Sequence, residues 1–175
     1  YKRQPYDSFE EIIIKGAAVG FADVPLCEKE PYIIRYAEMI DNWAECDCFC
    51  SCIKVKKSEA DDLLRLAEGL MYRKEEFVSR VGTVLMFSKF SDEPTVRKAL
   101  TIYDRLPGGE YYRDMAVAWG ISVYCVRYPQ LIVKYLEHSP ISIAVKLAAA
   151  QKIRDSRRIS DEVKHRVTDT VNAQR

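Results

Sequence analysis

Helical periodicity runs through almost the whole of this 175-residue chain, and strand-like alternation is scarce. The apolar positions predict helices near 7–21, 29–40, 42–53, 58–72, 75–90, 94–105, 109–127, 129–137, 141–155 and 160–172. Breaks are expected at Pro25, Pro31, Pro94, Pro107-Gly108-Gly109, Pro129 and Pro140. Asn42, with Glu45 three residues on, fits a capping box, and Ser58 and Ser160 fit N-caps followed by acidic residues.

Ten short helices joined by short turns imply stacked pairs rather than a four-helix bundle. The helices expected at 42, 75, 109 and 141 begin 33, 34 and 32 residues apart. Trp43 to Arg80 is 37 residues, Arg80 to Trp119 is 39, and 38 more lead to Arg157. These spacings approach the period of HEAT-type repeats. The expected fold is therefore all-α, an α–α superhelix of HEAT-like solenoid type, as a single domain over 1–175. Equivalent positions of successive repeats would then line one surface, usually the concave one.

Hydrophobic residues make up 48% of the chain and charged residues 30%, ordinary values for a soluble protein. No stretch approaches the ~20 apolar residues a membrane span needs, and no signal peptide is visible. A cytoplasmic location follows as the expectation, with a monomer as the default. Net charge is +1, so nucleic-acid binding would have to come from segregated charge.

Four of the six cysteines fall in Cys46-Asp47-Cys48-Phe49-Cys50-Ser51-Cys52. At about 100° per residue, Cys46 and Cys50 share one helix face while Cys48 and Cys52 share another. Four thiolates on two faces cannot close one tetrahedron, so reduced, mostly buried thiols are expected instead of a metal site. His138 and His165 are isolated, and Gly108-Gly109 reads as a turn.

The two Trp residues and one Asp carry most of the functional information. Trp43 and Asp47 lie one helical turn apart, and an indole beside a carboxylate attracts developing positive charge. Asp47 sits among apolar and cysteine neighbours, an expensive place for a carboxylate. It either stabilises a cationic transition state and positions a water, or forms a structural ion pair with an Arg of the next repeat. Trp43 and Trp119 have a blander explanation as core residues, since aromatic side chains at helical spacing usually pack. Arg80 interrupts an apolar run and could pair with Asp47 or hold a phosphate. Lys54, Lys56 and Lys57 close the third helix, and Lys152, Arg154, Arg157 and Arg158 form a denser cluster. Either group is a solvated helix end or part of a phosphate-tracking groove.

Asp41-Asn42-Trp43-Ala44-Glu45-Cys46-Asp47-Cys48-Phe49-Cys50 resembles a signature segment of the DNA alkylation repair (AlkD-like) family of HEAT-repeat DNA glycosylases. So do Tyr111-Tyr112-Arg113-Asp114-Met115-Ala116-Val117-Ala118-Trp119 and the segment from Gln151 to Glu162, in the family's order. The resemblance implies hydrolytic release of cationic N3- or N7-alkylated purines from duplex DNA. It gives Asp47 the role of stabilising the oxocarbenium-like sugar and orienting water. Trp43 and Trp119 would pack against the lesion's sugar, and Arg80 would grip a nearby phosphate. The resemblance implies no metal or organic cofactor and no obligate protein partner. Family members carry further helices before the point where Tyr1 falls. A non-catalytic HEAT-like scaffold, binding DNA structures or protein partners through the same face, is the alternative reading.

Overall fold

The computed structural model describes residues 9–175 and is built from helices. These are α1 (Phe9–Phe21), α2 (Leu26–Ala37), α3 (Trp43–Cys52), α4 (Ala60–Met71), α5 (Glu76–Lys89), α6 (Glu93–Tyr103), α7 (Tyr111–Arg127), α8 (Pro129–His138), α9 (Ile143–Asp155) and α10 (Asp161–Asn172). No strand occurs among the described residues. None of the helices is long and apolar enough to cross a membrane. The expected start of the first helix at 7 lies outside the described residues.

Local chemistry accounts for most helix starts. The side chains of Asn42, Asp92, Ser142 and Ser160 each accept from the amide three residues on, at 3.0–3.5 Å. Each satisfies one of the amides that a first turn leaves without an intrahelical acceptor. Pro94 and Pro129 sit in the first turns of α6 and α8, where the missing N–H costs nothing.

Three expectations need correction. Pro31 does not break the second helix: α2 starts at Leu26, directly after Pro25, and carries Pro31 inside it. Lys54, Lys56 and Lys57 lie beyond α3, which ends at Cys52, so they are loop and turn residues. Ser58 caps nothing, because a short 3-10 turn over Lys57–Glu59 leads into α4. Glu59 does the joining there, accepting from the amides of Leu26 at 2.7 Å and Lys56 at 3.0 Å.

The described residues divide into two compact units, the first ending at Ser88 and the second running from Lys89 to Arg175. In the first unit α1 packs on α3, and α2 packs on both α1 and α4. The starts of α2 and α4 are joined through Leu26 and Glu59, and their ends through Arg73 Nη2 to Glu38 Oε1 at 2.9 Å. The two helices therefore run parallel. Leu63, Leu66, Ala67, Leu70 and Met71 form the buried stripe of α4 at helical spacing. Ten consecutive residues of α5, Val78–Phe87, are buried, so that helix is enclosed on all sides. Gly82 lets it approach α4 closely, since a methyl group there would lie 2.5 Å from the Met71 amide nitrogen.

Lys29, buried in the first unit, donates to the carbonyls of Gly20 at 3.3 Å and Lys54 at 2.8 Å. Its ammonium meets the negative C-terminal end of α1 and the chain leaving α3.

In the second unit α7 packs on α9 and α8 packs on α10, with α7–α8 and α9–α10 as the hairpins. Tyr128 OH donates to the Ser91 carbonyl at 3.0 Å and Tyr135 OH to Asp104 at 2.8 Å. Arg166 reaches Gln130 at 2.9 Å, and Gln174 reaches the Leu136 carbonyl at 3.0 Å. Start is tied to start and end to end, so α6, α8 and α10 run parallel. The sequence separations across these four bonds are 31–38 residues.

Candidate functional site

Asn42 fixes the entry of α3 by accepting from the Glu45 amide at 3.0 Å. Trp43 follows as the first helical residue and is 58% exposed, so this ring is not part of the core. One turn later on the same face stands Asp47, with its side chain 22% exposed. Cys46 and Cys50 are buried, while Cys48 is exposed and Cys52 half-buried. The two-face geometry thus holds, but only three of the six thiols (Cys46, Cys50 and Cys125) are buried.

Arg80 comes from the enclosed face of α5 and its side chain is 6% exposed. Its Nη2 donates to both carboxylate oxygens of Asp47, at 2.8 and 3.0 Å. Cys50 Sγ, one turn beyond Cys46, reaches the Val81 carbonyl at 3.7 Å and pins α3 against α5 at the next position. A phosphate could meet this guanidinium only in exchange for its carboxylate partner. Lys54 and Lys56 flank a separate hollow of the first unit, lined also by Phe21, Val24 and Lys29, and the Lys54 ammonium lies 4.8 Å from the centre of the Phe21 ring.

In the second unit Trp119 is half-buried on α7 and lines a groove of about 390 Å³ with Ser122, Lys152, Asp155, Ser156 and Arg158. An indole, two cations and hydroxyl groups on one open wall suit a ligand with a flat face and an anionic group. The structure therefore brings Trp119 together with Lys152 and Arg158. Arg154 is exposed and bonded to Gln151 on its own helix, and Arg157 is exposed.

Two charged residues escape a reading of the sequence by motifs. Asp47, Arg80, Arg113 and Lys146 follow one another at intervals of thirty-three residues. In the first unit this interval joins acid to base. In the second it places Arg113 and Lys146, both buried, on the packed helices α7 and α9. The signal was a repeat interval in charge, hidden behind the more conspicuous interval between the aromatic residues.

Comparison with known proteins finds no matching family model, no similar curated sequence and no similar solved structure.

Proposed function

We propose that this chain is a monofunctional alkylpurine DNA glycosylase built from HEAT-like repeats. The observation that carries the reading is Asp47, held on both oxygens by Arg80 and one helical turn from the exposed Trp43. The repeat architecture is supported by the parallel helices of each unit and the hydrogen bonds spanning about one repeat length.

An N3- or N7-alkylated purine is already a good leaving group because it carries positive charge. The work left to the protein is to stabilise the sugar as its glycosidic bond breaks and to place a water behind it. A fixed carboxylate does both: it offers negative charge where the oxocarbenium develops and accepts a proton from the attacking water. The Trp43 face adds cation–π attraction to the same charge. Arg80 is a positioning residue in this scheme, since its nitrogen restricts the carboxylate to one orientation. Phosphates of the duplex would fall to the exposed bases, Lys54, Lys56, Lys57, Arg154, Arg157 and Arg158, with the half-buried Lys152 beside Trp119.

The buried side of the same ion pair favours a second reading. An Arg that is almost wholly enclosed and bonds both oxygens of a carboxylate is also what a structural contact between repeats requires, as in a non-catalytic helical scaffold. The deciding experiment is release of 7-methylguanine from methylated duplex DNA by the chain and by Asp47→Asn. Loss of release, with the circular dichroism spectrum unchanged, is expected of the enzyme. Release absent from the parent chain, in the presence of measurable duplex binding, selects the scaffold.

A further inference from the structure

Lys15 and Val19 stand one turn apart on α1, while Tyr32, Arg35, Tyr36 and Met39 recur along α2 and its last turn at helical spacing. These six residues line one hollow of about 280 Å³, with α1 on one side and α2 on the other. That volume lies at the foot of the range of small-molecule sites, ~300–1,000 Å³. Neither Asp47 nor Arg80 takes part in it.

One wall is fixed before any ligand arrives. Tyr36 OH donates to the Ile12 carbonyl at 2.7 Å, and the centre of its ring lies 4.4 Å from that of Phe49. Gly16 gives the ring its place against α1, because a methyl group there would lie 2.5 Å from Tyr36 Cζ. Tyr32 and Met39 have the opposite character. Tyr32 is a large ring left 62% exposed, and Met39 is a half-buried thioether that adapts to what it meets. With Val19 they give the hollow an apolar lining.

Its charged groups are of one sign. Lys15 comes from α1 and Arg35 from α2, and none of the described residues lining the hollow is acidic. Glu11 and Glu38 lie near these cations in sequence, but neither lines the hollow, and Glu38 bonds Arg73 at 2.9 Å. The choice of charge is therefore local: it rests on ammonium and guanidinium donors within the hollow, not on a net positive field. Two rings, a thioether and a valine side chain cover a flat apolar body, and a carboxylate at its edge finds N–H donors with no acid beside them.

We propose that this hollow binds a small aromatic carboxylate, its rings covered by Tyr32, Tyr36, Val19 and Met39 and its head group held by Arg35 and Lys15. The site is separate from Asp47 and does not depend on the glycosylase reading. Apolar burial supplies most of the affinity, and the cations choose the head group, since an ion pair at an open rim is worth little by itself.

The probe is naphthoate, with the uncharged naphthylmethanol as its counterpart, each titrated into the whole chain carrying ¹³C-labelled methionine methyl groups. Of the four methionines only Met39 lines the hollow. Met71 and Met86 are buried and Met115 lies on α7, so they report on the fold while Met39 reports on the site. Met39→Leu assigns its signal. The expected result is a saturable shift of the Met39 signal alone, with naphthoate bound about two- to fivefold more tightly than the alcohol. Replacing both cations, Lys15→Gln with Arg35→Gln, should bring the two affinities together. Tyr32→Ser should weaken both about threefold or more. Tyr32 and Arg35 are exposed and Lys15 is half-buried, so these variants are expected to fold, and unmoved Met71 and Met86 signals verify it. A Met39 signal that stays in place into the millimolar range overturns the proposal, as does a shift of all four signals together. So do equal affinities for acid and alcohol in the parent chain, or a preference for the acid that survives loss of both cations.

Discussion

Arg80 reaches Asp47 through one terminal nitrogen that bonds both carboxylate oxygens, at 2.8 and 3.0 Å, across helices whose pairing residues are thirty-three apart. One end of the pair is enclosed and the other touches solvent. That asymmetry separates two roles, because only the exposed end can meet a substrate.

Arg80→Ala should therefore reduce turnover without changing how duplex binding responds to salt. A guanidinium in contact with a phosphate releases counterions, and its removal lowers the slope of log K against log salt by ~0.9. Arg80 is enclosed and occupied by Asp47, so the slope should match that of the parent. The same substitution should destabilise the chain by about 2 kcal/mol, since it leaves a half-buried carboxylate without its partner. Fluorescence anisotropy across a salt series and urea denaturation check the two halves. A flattened slope would return Arg80 to the phosphate.

Gly82→Ala should cost about 3 kcal/mol, at the upper end of overpacking penalties. The added methyl would lie 2.5 Å from the Met71 nitrogen and 2.6 Å from the Ala67 oxygen. Both are backbone atoms of α4, so no side-chain rotation relieves the clash. Gly69→Ala, on α4 itself, meets nothing within 4 Å and serves as the control. It should be neutral or stabilising, because Ala is the better helix former. Chemical denaturation of the two variants against the parent measures the difference.

The sequence exposed most of the helices but not which charges turn inward. Apolar residues at helical spacing located α4 and α7, and Asn42 and Ser160 marked their helix starts through the donors they satisfy. Pro31 misled because proline usually interrupts the ladder, yet here α2 runs on through it. Asp47 with Arg80 was among the pairings the residues allowed. Arg113 and Lys146 were not legible, because a lone cation in a helix is normally solvated and its burial is decided by the neighbouring repeat. Trp43 illustrates the reverse: an indole whose helical spacing ordinarily means core packing stands 58% exposed.

Thiol labelling should separate the six cysteines by burial rather than by sequence position. Cys27 and Cys48 are exposed, whereas Cys46, Cys50 and Cys125 are buried. Burial also pushes the Cys125 thiol up to about 12, which suppresses the reactive thiolate at neutral pH. A disulfide reagent on the native chain should modify Cys27 and Cys48 quickly and Cys52 more slowly. The buried three should react only on unfolding. Peptide mapping after a short pulse assigns the sites, and early labelling of Cys125 would contradict the packing of α7.

Acid should weaken the first unit in a window set by Glu75. The Arg73 guanidinium donates to Glu75 at 2.8 and 3.1 Å and lowers its carboxyl pKa from 4.5 to about 2. A carboxylate whose pKa is depressed on folding contributes stability above its unfolded value and loses it as pH falls through the folded one. That contribution is full above pH 4.5 and is lost progressively down to about pH 2. Arg73 also bonds Glu38 at the end of α2, so the bridge links α2 to the turn after α4. Glu75→Gln should therefore flatten the acid limb between those pH values by lowering stability at neutral pH and leaving it unchanged near pH 2, and the difference should be small because the pair is exposed and screened. Thermal midpoints measured from pH 2 to 7 in the two chains make the comparison. A carboxyl ¹³C titration that puts Glu75 near 4.5 would remove the cause.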